Sequence, residues 1–139
     1  MTALTADRAF QAKDGYFQDF PVEASEVIYK GAIVGDNGAG YAQALASGDP
    51  FLGIAIEQAD NSSGSAGDIN CVCRRKGIVR FTGQSGFSQT DVGTKAYAHD
   101  DGTVSATKGS KTFIGYFVKY ESASVMWVDL MPDANDEIT

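Results

Sequence analysis

The hydrophobic positions of this chain fall into short runs broken by Gly, Asn and Asp, with no long stretch of helical spacing. Runs of this length, rich in β-branched and aromatic residues, read as strands. They predict strands at residues 27–30, 32–35, 41–44, 51–57, 69–81, 94–98, 103–106, 112–120 and 124–130. Turns are expected at Asp36-Asn37-Gly38, Asn61-Ser62-Ser63-Gly64 and Asp100-Asp101-Gly102, where Gly and Asn tolerate positive φ. Residues 1–22 have a different texture: polar, but carrying Phe10, Tyr16, Phe17 and Phe20 ahead of Pro21. Aromatics without strand alternation predict an extended N-terminal arm that packs against its own domain or a partner. Residues 5–13 could add a helical turn or two, too short to persist alone. Residues 23–131 then form one β-rich domain, and 132–139 an acidic C-terminal tail expected to fray.

Sliding the chain against itself by 62 residues aligns Gly31 with Gly93, Gly40 with Gly102, Ala44 with Ala106, Phe51 with Phe113 and Gly53 with Gly115. The shared order is a Gly turn, a hairpin, a loop and a Phe-x-Gly strand. Two similar β units are therefore expected, packed as a small β-sandwich or closed into a β-tulip-like barrel. Gly53 and Gly115, inside strands, should mark bulges or close backbone approach.

Composition sharpens this all-β reading. There are 10 Val and 8 Ile against 4 Leu, which favours pleated sheets over helices. The length of 139 residues suits one domain that folds without staples or metals. No apolar run reaches a membrane span, and residues 1–14 do not read as a secretory signal. The net charge of −7 argues against general nucleic-acid binding. The two cysteines, Cys71 and Cys73, would share a strand face with Cα atoms about 6.6 Å apart, near the limit for a bridge. Free thiols acting as small apolar residues are the expected state.

Catalytic chemistry is hard to assemble from these residues. His99, the single histidine, precedes a turn and reads as an exposed hairpin residue. Cys71, Cys73 and His99 lack a fourth ligand and the usual Cys-x₂-Cys spacing for zinc. Residues 108–112 (Lys-Gly-Ser-Lys-Thr) lack the spacing and following helix of a phosphate loop, and Asp36-Asn37-Gly38 lacks the later ligands of a calcium loop. Asn61-Ser62-Ser63-Gly64, the Gly40-Tyr41 hairpin and residues 83–88 superficially resemble motifs of trimeric dUTPases, but in the wrong order. No catalytic, metal or cofactor residues are assigned. Arg74, Arg75, Lys76 and Arg80 hold 4 of the 11 bases. On one continuous strand Arg74, Lys76 and Arg80 would share a face, a solvated edge or a contact to an acidic neighbour.

Several words recur in a familiar order: Tyr29-Lys30-Gly31-Ala32-Ile33-Val34-Gly35, Gly40-Tyr41-Ala42, Phe51-Leu52-Gly53-Ile54-Ala55 and Ala66-Gly67-Asp68. They continue as Cys73-Arg74-Arg75-Lys76-Gly77-Ile78-Val79-Arg80-Phe81, Asp91-Val92-Gly93, Phe113-Ile114-Gly115-Tyr116 and Val125-Met126-Trp127-Val128-Asp129-Leu130. Over residues 23–130 this series resembles the bacteriophage capsid cement, or head decoration, proteins. The resemblance implies a non-enzymatic β domain that forms homotrimers at threefold or quasi-threefold sites on the outer surface of the virion. Its partners would be the major capsid protein and other copies of itself, with no direct nucleic-acid or membrane contact and no cofactor. Phe10, Tyr16, Phe17, Phe20, Arg74, Lys76 and Arg80 are the expected contact residues. A dUTPase-like hydrolase and a glycan-binding fibre or adhesin module are the alternatives.

Overall fold

The computed structural model describes residues 16–132 continuously, together with Ala3, Thr5, Ala6, Asp7 and Ala9. Phe10, most of the possible helical turn at residues 5–13 and residues 133–139 of the acidic tail lie outside the described residues. The described residues form twelve strands: β1 (Phe17–Pro21), β2 (Val27–Ile28), β3 (Ile33–Asp36), β4 (Ala42–Ala44), β5 (Phe51–Ala55), β6 (Ala59–Asp60), β7 (Asn70–Arg74), β8 (Ile78–Phe81), β9 (Lys95–Ala98), β10 (Val104–Ser105), β11 (Thr112–Ser122) and β12 (Val125–Leu130). One 3₁₀ turn, Gln89–Asp91, interrupts them.

The strands make two five-stranded sheets, β1-β7-β5-β3-β4 and β10-β9-β11-β12-β8, plus a β2-β6 ribbon. All pairings within named strands are antiparallel. The protein is all-β, as the sequence predicts, and its layers are those of a small sandwich. Ile33, Leu45, Phe51 and Ile54 of the first half join Phe81, Ala96, Ile114, Phe117, Met126 and Val128 of the second in one core. Val34, Ala42, Ala55, Cys71 and Cys73, on the opposite face of the first sheet, pack with Ile28 and Ala59 of the ribbon. Burial on both faces explains the near-continuous apolar runs of β3 and β5. Among the described residues no further layer covers the outer face of β12, which alternates half-buried and buried.

The repeat is real at the level of backbone geometry. In chain order β1, β3, β4, β5, β7 correspond to β8, β9, β10, β11, β12, and both sheets share one strand order. Hydrogen bonds recur 62 residues apart: Gly31 N to Ala55 O and Gly93 N to Phe117 O, both 2.8 Å, and Asn37 N to Tyr41 O and His99 N to Thr103 O, both 2.9 Å. Gly53 and Gly115 hold the same extended positive φ, 154° and 152°. A Cβ would meet Arg74 O at 2.6 Å at Gly53 and Asp129 O at 1.9 Å at Gly115. Each sits where the ladder shifts register, so both predicted bulges exist and a side chain at either would strike the neighbouring backbone.

Two expectations need correcting. The arm was expected to run through residue 22, yet Phe17–Pro21 is an edge strand of the first sheet and Val22 is fully buried in the core of that half. Pro21 is tolerated there because it lies opposite Asn70, beside the bonded pair Val22–Ile69, where its missing N–H faces away from β7. The expected single strand over residues 69–81 is two strands in different sheets. Gly77, at φ 108°, makes the crossing between β7 and β8.

Candidate interaction surface

The break at Gly77 decides where the basic cluster goes. Arg74, Lys76 and Arg80 do not share a strand face, because Arg74 lies in the first sheet and Arg80 in the second. Arg74 donates to Lys76 O at 2.7 Å and lies 5.1 Å from the Phe17 ring centre. Arg75 donates to Leu52 O at 3.0 Å and lies 5.7 Å from the ring of Phe20. Lys76 is exposed in the crossing. Arg80 forms two hydrogen bonds with Glu121, of 3.1 and 2.7 Å, and Trp127 Nε1 donates to the same carboxylate at 3.1 Å. Arg80, the first cause, and then the indole hold the Glu121 carboxyl down at about 2.

The fold nevertheless brings most of the predicted contact residues to one corner. Tyr16 O accepts from Arg75 N at 2.7 Å, which sets the start of β1 beside the crossing. The Arg74 guanidinium spans from the Phe17 ring to the backbone at Gly77 and Lys76. Tyr16, Phe17 and Ile78 are 54%, 46% and 57% exposed, so three of the larger exposed apolar side chains lie beside the crossing that carries Arg74 and Lys76. Cations over aromatic faces and apolar rings in solvent are features of contact surfaces. Phe20 turns the other way and packs on the first core, so it supports the corner from beneath. Arg80 sits two residues farther along β8, already paired. Sequence reasoning missed Ile78, whose exposure follows from its place at the start of an edge strand.

Both edge strands that begin here, β1 and β8, end their sheets. The opposite edges are blunted: Val22 bridges Ala42 beside β4, and the Gln84 side chain accepts from Val104 N and donates to Gly102 O beside β10. The corner thus offers backbone hydrogen-bonding groups as well as side chains.

The residues weighed for chemistry make contacts that hold turns and join the two halves. Asn61 is buried and its Nδ2 donates to Glu23 O and Ser65 O at 2.9 and 3.0 Å, pinning the Ser-Ser-Gly turn. Asp36 Oδ1 accepts from Gly38 N and Gly40 N within its own turn. Ser47 Oγ donates to His99 O at 2.8 Å, and Thr112 Oγ1 donates to Asp49 O at 2.8 Å, so these two clamp one half to the other. Cys71 and Cys73 are buried free thiols with sulfurs 3.9 Å apart. Among the described residues no cluster of three His, Cys, Asp or Glu is arranged to hold a metal ion. No protein-family model matches the sequence, and no match is found among curated proteins or solved structures.

Proposed function

We propose that this protein is a structural head decoration, or cement, protein of a bacteriophage, which forms homotrimers and binds the outer surface of an assembled capsid. The observation that carries the reading is the corner where Tyr16, Phe17 and Ile78 stand exposed beside Arg74 and Lys76 at the ends of two sheets. A surface that combines apolar rings, cations and open strand edges suits a protein partner with acidic and apolar groups. The ordered series of sequence words over residues 23–130 supports the same reading. So does the doubly covered first sheet, a stiff support for contacts repeated many times over a shell. Modest contacts suffice there, because many copies act together.

The test is binding to heads stripped of their decoration protein. Phe17→Ser combined with Ile78→Ser removes two exposed apolar side chains without touching either core. Binding should weaken at least tenfold, about 1.4 kcal/mol per tenfold, with an unchanged far-UV spectrum. Full binding by the double variant would remove the corner from the account.

A further inference from the structure

We propose that the outer face of the second sheet, around the half-buried Phe113, Tyr116 and Trp127, is the surface on which a second copy of this chain seats. The argument starts from the repeat. Ile33, Phe51 and Ile54 of the first unit lie on the face that is buried against the second unit. Their counterparts 62 residues on are Lys95, Phe113 and Tyr116, on the matching face of β9 and β11. Within the chain, then, this face of a unit is the one that receives another unit. The first unit's copy of it is filled, and among the described residues no further unit covers the second unit's copy. A second copy of this chain carries further units of the same kind and can supply the third layer.

The side chains fit that role. Ala96, Ala98, Ile114, Phe117, Met126 and Val128 point into the core, so the alternate positions face outward. Phe113 and Tyr116, both half-buried, lie edge to face with ring centres 5.7 Å apart, and the buried Tyr97 supports Phe113 from across the ladder at 6.0 Å. Lys119 lies 5.4 Å from the Trp127 ring centre on the same side. Tyr, Trp and Phe are enriched in the cores of interfaces, because they bury much area at little entropy cost. The far end of the stack, by the β2-β6 ribbon, exposes Tyr29 (63%) and Ile56 (41%) near the acidic Glu57 and Asp60. An aromatic face carrying lysine at one end and an apolar, acidic ribbon side at the other favour head-to-tail contact, with the ribbon side of one copy on the aromatic face of the next. The inference rests on the self-association in the proposed function and assigns its surface.

Light scattering with Trp127 emission tests it, and head binding is scored separately. At tens of micromolar the wild type should show about three times the 14.7 kDa chain mass. Dilution should shift the emission of Trp127, the single tryptophan, to the red as copies separate. Tyr116→Arg and Lys119→Glu should each weaken association at least tenfold while keeping the wild-type far-UV spectrum. Lys119 is exposed, so its variant decides the matter if Tyr116→Arg fails to fold. An associated wild type whose association survives Lys119→Glu, with emission unmoved on dilution, overturns this face and leaves self-association standing. A wild type that stays monomeric at 100 micromolar overturns both, and leaves capsid binding to be judged by the heads.

Discussion

The two bulge glycines show how far single residues control this fold. Gly53 and Gly115 share a backbone conformation that L side chains rarely adopt, and each faces a neighbouring carbonyl oxygen. Gly115→Ala would set a Cβ 1.9 Å from Asp129 O, so the strand must shift. We predict a loss of roughly 3 kcal/mol in denaturant unfolding, from backbone strain plus overlap. Gly31→Ala, at φ 85° in open space, should cost only about 1 kcal/mol, from conformation alone. Equal losses at the two sites would show that close approach is not what selects glycine. Glu121 makes a second residue-scale prediction. Its folded pKa of about 2 lies below the usual carboxylate value of about 4.3, so its contribution is present above that value and lost as pH falls toward 2. NMR titration should find the Glu121 carboxyl near 2, returning to the ordinary range in Arg80→Ala. Cys71 and Cys73 are both buried, so thiol reagents should label neither until the protein unfolds.

At the scale of elements, the sequence was most legible where strands are bounded by turn residues. Residues 94–98, 103–106 and 124–130 were read within a residue or two of β9, β10 and β12. The repeat could be read because its glycines fix the turns and bulges that chain geometry cannot replace. Two features escaped for physical reasons. β1 is half polar and ends in proline, which only an edge strand accommodates, and its partner β7 lies 50 residues away. The crossing at Gly77 was hidden because apolar and basic residues continue on both sides of it, and only the positive φ marks the turn between sheets. The exposed corner of the proposed contact is half legible in the sequence: Tyr16, Phe17, Arg74 and Lys76 can be named from it, but Ile78 joins them only because the crossing places β8 there. Truncation tests the revised boundary. Removing residues 1–15 should leave the thermal midpoint within a few degrees, whereas removing 1–21 takes away β1, uncovers the edge of β7 beside Cys71 and Cys73, and should lower it sharply. A midpoint indifferent to both deletions would mean that β1 is not part of the folded domain.

On the scale of the whole molecule, one supersecondary unit is used twice with different surroundings. The first copy is covered on both faces, by the ribbon and by the second copy, while the outer face of the second carries the half-buried Phe113, Tyr116 and Trp127. That asymmetry places the exposed corner at one point of the molecule and the proposed self-association face at another. The proposed role as a capsid cement needs both: one surface to grip the shell and one to tie copies together. Cryo-microscopy of stripped heads incubated with the purified protein examines that claim most directly. The account predicts added density outside the shell at threefold or quasi-threefold positions, three copies to a cluster, with the corner of Phe17 and Ile78 toward the capsid. Heads that gain no density at saturating protein, or that carry it with this corner facing solvent, would contradict it.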